Sequence, residues 1–346
     1  MKQYANILEN IIKYGSVKPA AREGLVPTKS LFDCNIEVLD GSLPILNGKR
    51  VFTRNVISEL VWFLKGYTNI AFLHKYNNHI WDDDAYRFYR EQGGILEFDK
   101  WLEIVTYFSA YNAVPITYHP VASIGDCGRI YGYQWRRQGY DNYYFPTDAL
   151  AYPLKEFTRR KSIDQLDNLI NGLIKEPFSR YHILDAWNWQ DYKEGFQALP
   201  ACHNFVQCNV REVKGKLKLD LSVWQRSCDM FLGVPYNLLS YGIFHRLLCF
   251  ITGYEIGNFK WHGGDCHIYE NQMDAVNEYL SRVRDPKFNS PDSDTYVRFD
   301  IDRVVENDNY ISIIDKINVE DINIIHYNPQ EHISAPLNTG VNKWKK

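Results

Sequence analysis

The stretch Lys216 to Trp224, KLKLDLSVW, alternates without a break. Leu217, Leu219, Leu221 and Val223 fall on one face, and Lys216, Lys218, Asp220 and Ser222 on the other. A period of two kept that long is a half-buried strand and fits no helix. Asn204 to Val213 reads as a second strand, and Lys214-Gly215 between them supplies a two-residue turn, so the pair predicts a hairpin. A sheet with one apolar face has to be covered, and the chain carries the covers. Asn237 to Thr252 predicts a long, mostly apolar, buried helix that Gly253 ends. Asn55 to Leu64 places Val56, Ile57, Leu60, Val61 and Leu64 at helical spacing, with Gly66 as a stop.

Further elements follow the same rules. Residues 2–13 and Ile163 to Lys175 predict helices, and Thr68 to Tyr76 a short one capped by Thr68 or Asn69. Tyr181 to Trp187, Phe259 to Trp261 and Ile311 to Ile314 predict strands. Residues 86–125 and 137–160 are rich in Tyr, Asp and Gly and lack a clean period, so both are expected to be insertions lying over the surface. With no repeat and no low-complexity linker, residues 1–346 are expected to form one α+β domain: a large mixed β-sheet packed with helices.

Composition excludes several function classes. A net charge of −3 announces neither a nucleic-acid surface nor a basic membrane tract. No apolar run approaches the ~18 residues of a membrane span. The opening MKQYANILENIIKYG fits an amphipathic helix better than a signal peptide. None of the seven cysteines (Cys34, Cys127, Cys202, Cys208, Cys228, Cys249, Cys266) pairs as CxxC, so no zinc site or other metal is expected, and a reducing cytoplasm fits best.

Four places combine residue types that carry chemistry. Cys202 precedes His203 in LPACHNF; Arg226 stands in WQRSCD; Asn237 follows GVPY; Asp265, His267 and Tyr269 lie in GGDCHIY. Taken singly, each has a plain structural reading: a core thiol, a paired arginine, an asparagine satisfying backbone, a buried hydrogen-bonding pair. Taken together they suggest more. An arginine near a cysteine favours the thiolate and also clamps phosphate. An asparagine amide matches the N3–H and O4 edge of uracil. The set suits a thiol nucleophile acting on a phosphorylated heterocycle.

SELVWFLKGYTNIAFLH, IYGYQWR, LPACH, WQRSCDMFLGVPYN, KWHGGDCHIYENQ and YNPQEHISAP span almost the whole chain, and in these stretches it resembles the thymidylate synthase family of pyrimidine C5 one-carbon transferases. The resemblance implies a thymidylate synthase-like fold with two sheets back to back in a homodimer whose sites are shared. It implies dUMP as substrate, with Asn rather than Asp at 237 favouring uracil over cytosine, and 5,10-methylenetetrahydrofolate as co-substrate. Cys202 would add to C6 of the base and make C5 nucleophilic. Arg226, Ser227, Arg22 and, from the partner subunit, Arg180 would hold the phosphate. Asn237 would read the base, and His267 and Tyr269 the deoxyribose hydroxyl. Glu59 would organise protons near O4, and Tyr131 would help remove the C5 proton. Asp229, Trp81, Ile80, Leu199, Gly233 and Tyr236 would line the folate, with Lys49 at its glutamate tail.

The chain departs from the family at five points: it runs on past the tail motif as SAPLNTGVNKWKK, so residues 338–346 form an extension; Asp84 stands where the family has a second tryptophan; Arg180 is followed by Tyr181 rather than arginine; Tyr236 replaces phenylalanine; and the Arg22 loop reads AREGLVPTKS. Several of these fall around the folate and the lid that keeps water out. The expected reaction is therefore hydroxymethylation, in which water attacks an exocyclic methylene to give 5-hydroxymethyl-dUMP, as in bacteriophages that hypermodify their DNA. Reductive methylation to dTMP and dihydrofolate is the alternative. A nucleotide- or RNA-binding homologue without catalysis, and a partner-binding role for the tyrosine-rich insertions, are the readings from other classes.

Overall fold

The computed structural model describes residues 2–21, 24–39, 41–110, 124–139, 162–288, 294–303 and 309–339. The helices are α1 (Lys2–Tyr14), α2 (Thr53–Leu64), α3 (Ala71–His74), α4 (Asp82–Glu91), α5 (Phe98–Ala110), α6 (Tyr131–Arg137), α7 (Gln165–Lys175), α8 (Trp189–Glu194), α9 (Gly233–Thr252), α10 (Met273–Arg284) and α11 (Ile311–Lys316). The strands are β1 (Ser16–Lys18), β2 (Thr28–Val38), β3 (Ile183–Asp185), β4 (His203–Val213), β5 (Lys216–Asp229), β6 (Glu255–Tyr269), β7 (Tyr296–Phe299) and β8 (Ile322–Ile325). The first six strands make one mixed sheet in the order β1-β2-β6-β5-β4-β3, with β5 and β6 parallel and the other pairs antiparallel; β7 and β8 pair apart from it.

The hairpin expected from the alternation is present. Lys214 and Gly215 both take positive φ, 54° and 76°, as a turn that follows the strand twist requires. Leu219, Leu221 and Val223 are buried, and α9 packs on that face of β5 and β6. α9 starts four residues earlier than expected, at Gly233. Pro235 sits in its first turn, where a missing N–H costs nothing. Asp229 stabilises the approach: its Oδ1 accepts from the amides of Phe231 and Leu232, both at 3.0 Å. α2 lies against α6 and α9 and is buried from Val56 to Leu64, Ser58 and Glu59 included.

Four expectations need correction. Ile311 to Ile314 is part of a helix, not a strand, and the adjacent Ile313 and Ile314 are both buried. A short apolar run does not reveal its own period, and packing decided it. The segment at 68–76 is helical only from Ala71 to His74, and its N-cap is Ile70 rather than Thr68 or Asn69, although Asn69 Oδ1 accepts from the Ala71 amide at 2.9 Å. The strand around 259–261 extends from Glu255 to Tyr269, its length masked in the sequence by Gly257, Gly263 and Gly264. The region 86–110 is no irregular surface insertion. It belongs to α4 and α5, and Tyr86, Trp101 and Val105 are completely buried, with Tyr86 and Trp101 ring centroids 5.2 Å apart. Two helices with a narrow apolar stripe hide easily among aromatic residues. Of the two expected insertions, residues 111–123 and 140–160 lie outside the described residues, as do Arg22 and 340–346 of the C-terminal extension. Among the described residues no helix is long and apolar enough to cross a membrane.

Candidate active site

Cys202 stands immediately before β4, and Arg226 on β5, one residue past the pairing of His203 with Gln225. The Arg226 guanidinium is pinned from below: Nε donates to the Ala201 carbonyl at 2.9 Å and Nη2 to that of Pro200 at 2.8 Å. Its Nη2 stands 4.0 Å from Cys202 Sγ, and its plane lies over the Trp187 ring at 5.2 Å. A fixed cation beside a partly exposed thiol is the setting in which thiolate nucleophiles are found. The Cys202 amide donates to Tyr131 Oη at 2.8 Å. Burial pushes the Tyr131 phenol well above its usual range, so it stays protonated and acts as a neutral hydrogen-bonding group.

Tyr131 stacks on His203, centroids 4.3 Å apart, and His203 Nδ1 meets Tyr241 Oη at 2.7 Å. Burial holds His203 down to about 3, which keeps the ring neutral. Trp81, its ring 6.0 Å from that of Tyr131, donates from Nε1 to Glu59 of α2 at 2.6 Å. Burial pushes its carboxyl up to about 7, against the opposing effect of that bond. A carboxyl poised at neutrality suits proton transfer.

Asn237, in the first turn of α9, is oriented by Gln225. Gln225 Nε2 donates to Asn237 Oδ1 at 3.0 Å, while Gln225 Oε1 accepts from Trp261 Nε1 at 3.0 Å. Gln225 was missed in the sequence, although a signal exists: it falls on the inward phase of the Leu217–Val223 alternation, where a polar residue needs a partner. The parallel register pairs Ser227 with Asp265 and Asp229 with His267. That register brings the WQRSCD and GGDCHIY motifs side by side. His267 Nδ1 lies 3.2 Å from the Asp265 carbonyl, and its ring meets Tyr269 edge-on at 5.1 Å.

The expected folate residues divide. Trp81 is buried on Glu59; Ile80, Leu199 and Tyr236 are half-buried on the core. Asp229 Oδ2 accepts from Gln272 Nε2 at 3.3 Å, and the same nitrogen donates to the Pro336 carbonyl at 3.2 Å. Lys49 is turned inward: its ammonium donates to the Phe231 carbonyl and sits 3.7 Å over the Phe231 ring, and burial holds it down to about 7. Arg180 stands exposed ahead of the edge strand β3. Asp84, at the departure next to Trp81, is paired with Arg87, which also donates to the Ala198 carbonyl at 2.7 Å. The tail beyond the family motif is tied down as well: Asn338 bonds Asn271 at 3.1 Å and Thr339 Oγ1 bonds Asp83 at 2.7 Å.

An α+β fold that sets a partly exposed cysteine beside a pinned arginine, with an oriented asparagine and a buried carboxyl near neutrality among its described side chains, has the groups that a transferase working through a thiol nucleophile needs. The chain belongs to the thymidylate synthase family, whose model matches residues 2–339. It is 33% identical over 342 residues to a probable thymidylate synthase of Schizosaccharomyces pombe, covering 97% of this chain and 47% of that protein. It is 32% identical over 344 residues to the thymidylate synthase of Saccharomyces cerevisiae, covering 97% of this chain and 96% of that one. It is 34% identical over 285 residues to a bifunctional dihydrofolate reductase-thymidylate synthase of Zea mays, covering 82% of this chain and 47% of that protein. The chain thus spans about half the length of the fission-yeast and maize proteins.

Proposed function

We propose that this chain is a thymidylate synthase, converting dUMP to dTMP at the expense of 5,10-methylenetetrahydrofolate. This departs from the hydroxymethylation expected of the sequence. The relatives carry the name of the synthase, and the observation that carries the choice is the tail. Asn338 and Thr339 lie past the family motif, yet they dock on Asn271 and Asp83, while Pro336, the last residue of the motif, is held by Gln272, which also bonds Asp229. A docked tail supports a closed, dry site, and dryness is what separates hydride delivery from water attack. The Asp84 departure weighs less than the sequence suggests, because Asp84 is paired with Arg87 and Trp81 is retained on Glu59.

In this reading Cys202 adds to C6 of the base, which makes C5 a nucleophile. The folate, when bound, supplies the one-carbon unit and the reducing hydride. Arg226 and Ser227 hold the phosphate, joined by Arg22. Asn237, set by Gln225, reads the uracil edge, while His267 and Tyr269 take the sugar hydroxyl. Glu59 exchanges a proton near O4, and Tyr131 positions the acceptor of the C5 proton. Ile80, Trp81, Leu199, Asp229, Gly233 and Tyr236 line the folate. A Cβ on Gly233 would make ordinary contact with Asp229 Cβ at 3.5 Å and Asn237 Oδ1 at 3.7 Å.

A homodimer with sheets back to back belongs to the same proposal. The sheet face away from α9 carries Trp224, stacked on His262 at 4.7 Å and edge-on to Phe205 at 5.3 Å. An apolar sheet face of this kind calls for a cover, and a second copy would also bring Arg180 to the neighbouring phosphate. The test is a product assay with dUMP and methylenetetrahydrofolate. Dihydrofolate formed together with thymidylate supports the synthase. A nucleotide heavier than thymidylate by one oxygen, without dihydrofolate, overturns it in favour of hydroxymethylation.

A further inference from the structure

We propose that His74, His79 and Asp82 bind a divalent transition-metal ion of the zinc class, at a site separate from Cys202. The three come from three places: His74 ends α3, His79 lies in the following loop, and Asp82 opens α4. Their ligand atoms all lie within 4.8 Å of one another. His74 Nε2 is 2.7 Å from Asp82 Oδ1, and His79 Nδ1 is 3.0 Å from Asp82 Oδ2. Zinc with bonds of about 2.0–2.1 Å to nitrogen and oxygen keeps neighbouring ligands roughly 3.3 Å apart. The two contacts to Asp82 would open by a few tenths of an ångström around an ion, while the widest pair of the cluster, within 4.8 Å, would close toward it. Missing CxxC pairs argue against a cysteine zinc site and leave a histidine-carboxylate set untouched.

The surroundings suit a metal better than a plain hydrogen-bond cluster. Each imidazole turns one nitrogen to Asp82 and the other to a neutral oxygen: His74 Nδ1 to Thr106 Oγ1 at 3.4 Å, His79 Nε2 to Asn77 Oδ1 at 3.3 Å. Such outer partners fix ring orientation and tautomer in metal sites. The His74 side chain is 2% exposed and that of Asp82 11%, whereas His79 is 49% exposed. The site is thus walled by the protein on one side and open to an arriving ion and its waters on the other. Two imidazoles and one carboxylate match zinc, cobalt or nickel, not calcium or magnesium.

The location gives the ion something to do. Asp82 is flanked by Trp81, which holds Glu59, and by Asp83, on which Thr339 docks. An ion joining α3 to the start of α4 would stiffen the wall and the landing point of the tail together. Its role is positional, since none of its ligands touches Cys202 or Arg226.

The test is titration of the untagged full chain with Co2+, followed by absorption and by equilibrium dialysis, with Zn2+ as competitor. The expected result is one Co2+ per chain, displaced by Zn2+, with ligand-field bands of a nitrogen–oxygen set and no thiolate charge-transfer band. His79→Gln, at the exposed ligand, and His74→Asn should each weaken binding at least about tenfold. Thr106→Val should weaken it less. Absence of stoichiometric uptake, a thiolate band, or unchanged affinity in a folded His79→Gln protein would each overturn the site.

Discussion

Glu59→Gln should stabilise the protein, and only above acidic pH. Glu59 is buried, and its carboxyl is pushed from 4.5 up to about 7. Below the unfolded value of 4.5 the carboxyl is protonated in both states, so native stability carries no penalty. Between 4.5 and about 7 the unfolded chain releases a proton that the native state keeps, and stability falls as pH rises. Above about 7 both states are ionised and the penalty is constant. At about 1.4 kcal/mol per pH unit, the displacement from 4.5 to about 7 amounts to about 3 kcal/mol. Glutamine keeps the shape, keeps an acceptor for Trp81 Nε1, and cannot ionise. Guanidinium unfolding of both proteins at one fixed protein concentration, repeated across this pH range, gives the difference directly. The variant's advantage should be smallest near pH 4.5, grow toward pH 7 and then level off. A difference independent of pH would refute the reasoning, because it would mean that Glu59 does not titrate differently in the two states.

Cys202→Ser should abolish turnover while leaving the fold intact; mass spectrometry with 5-fluoro-dUMP and methylenetetrahydrofolate should find a covalent adduct on the native chain and none on the variant, and surviving activity would sink the mechanism. Asn237→Asp should shift preference from dUMP toward dCMP, read as the ratio of kcat/KM values, and an unchanged ratio would place base reading elsewhere. Trp101→Ala, at a completely buried position between Tyr86 and Phe98, should cost about 3–5 kcal/mol in unfolding free energy; a loss under about 1 kcal/mol would mean that α5 is not part of the core.

Much of the site was legible because its residues sit in short, distinctive strings. LPACH, WQRSCD, GVPYN and GGDCHIY carry the nucleophile, the arginine, the asparagine and the sugar pair of the proposed site, and the β5–β6 register sets WQRSCD beside GGDCHIY. The residues that support them were harder to see. Gln225 matters because it bridges Trp261 to Asn237 across β5, β6 and α9, a relation between three distant segments. Tyr241 matters because its hydroxyl meets a neutral His203. Lys49, expected at the folate's glutamate tail, proves buried on Phe231. The reading of the tail changed most: a run-on sequence suggested an altered lid, and the structure ties Asn338 and Thr339 of that run to Asn271 and Asp83.

The sequence alone determined what depends on neighbours along the chain. The alternation of 216–224 made a strand, Lys214-Gly215 made its turn, and Gly253 in the left-handed region at φ 80° ended α9. Each follows from backbone sterics and side-chain period, which act over a few residues. Tertiary structure decided what depends on partners far away. Parallel pairing of β5 with β6 set Ser227 opposite Asp265 and Asp229 opposite His267. Packing turned 311–316 into a helix and drew α5 into the core. Burial raised Glu59 to about 7, and the approach of α3 to α4 gathered His74, His79 and Asp82. Register, burial and convergence are long-range quantities, set when the apolar faces close on one another and water leaves.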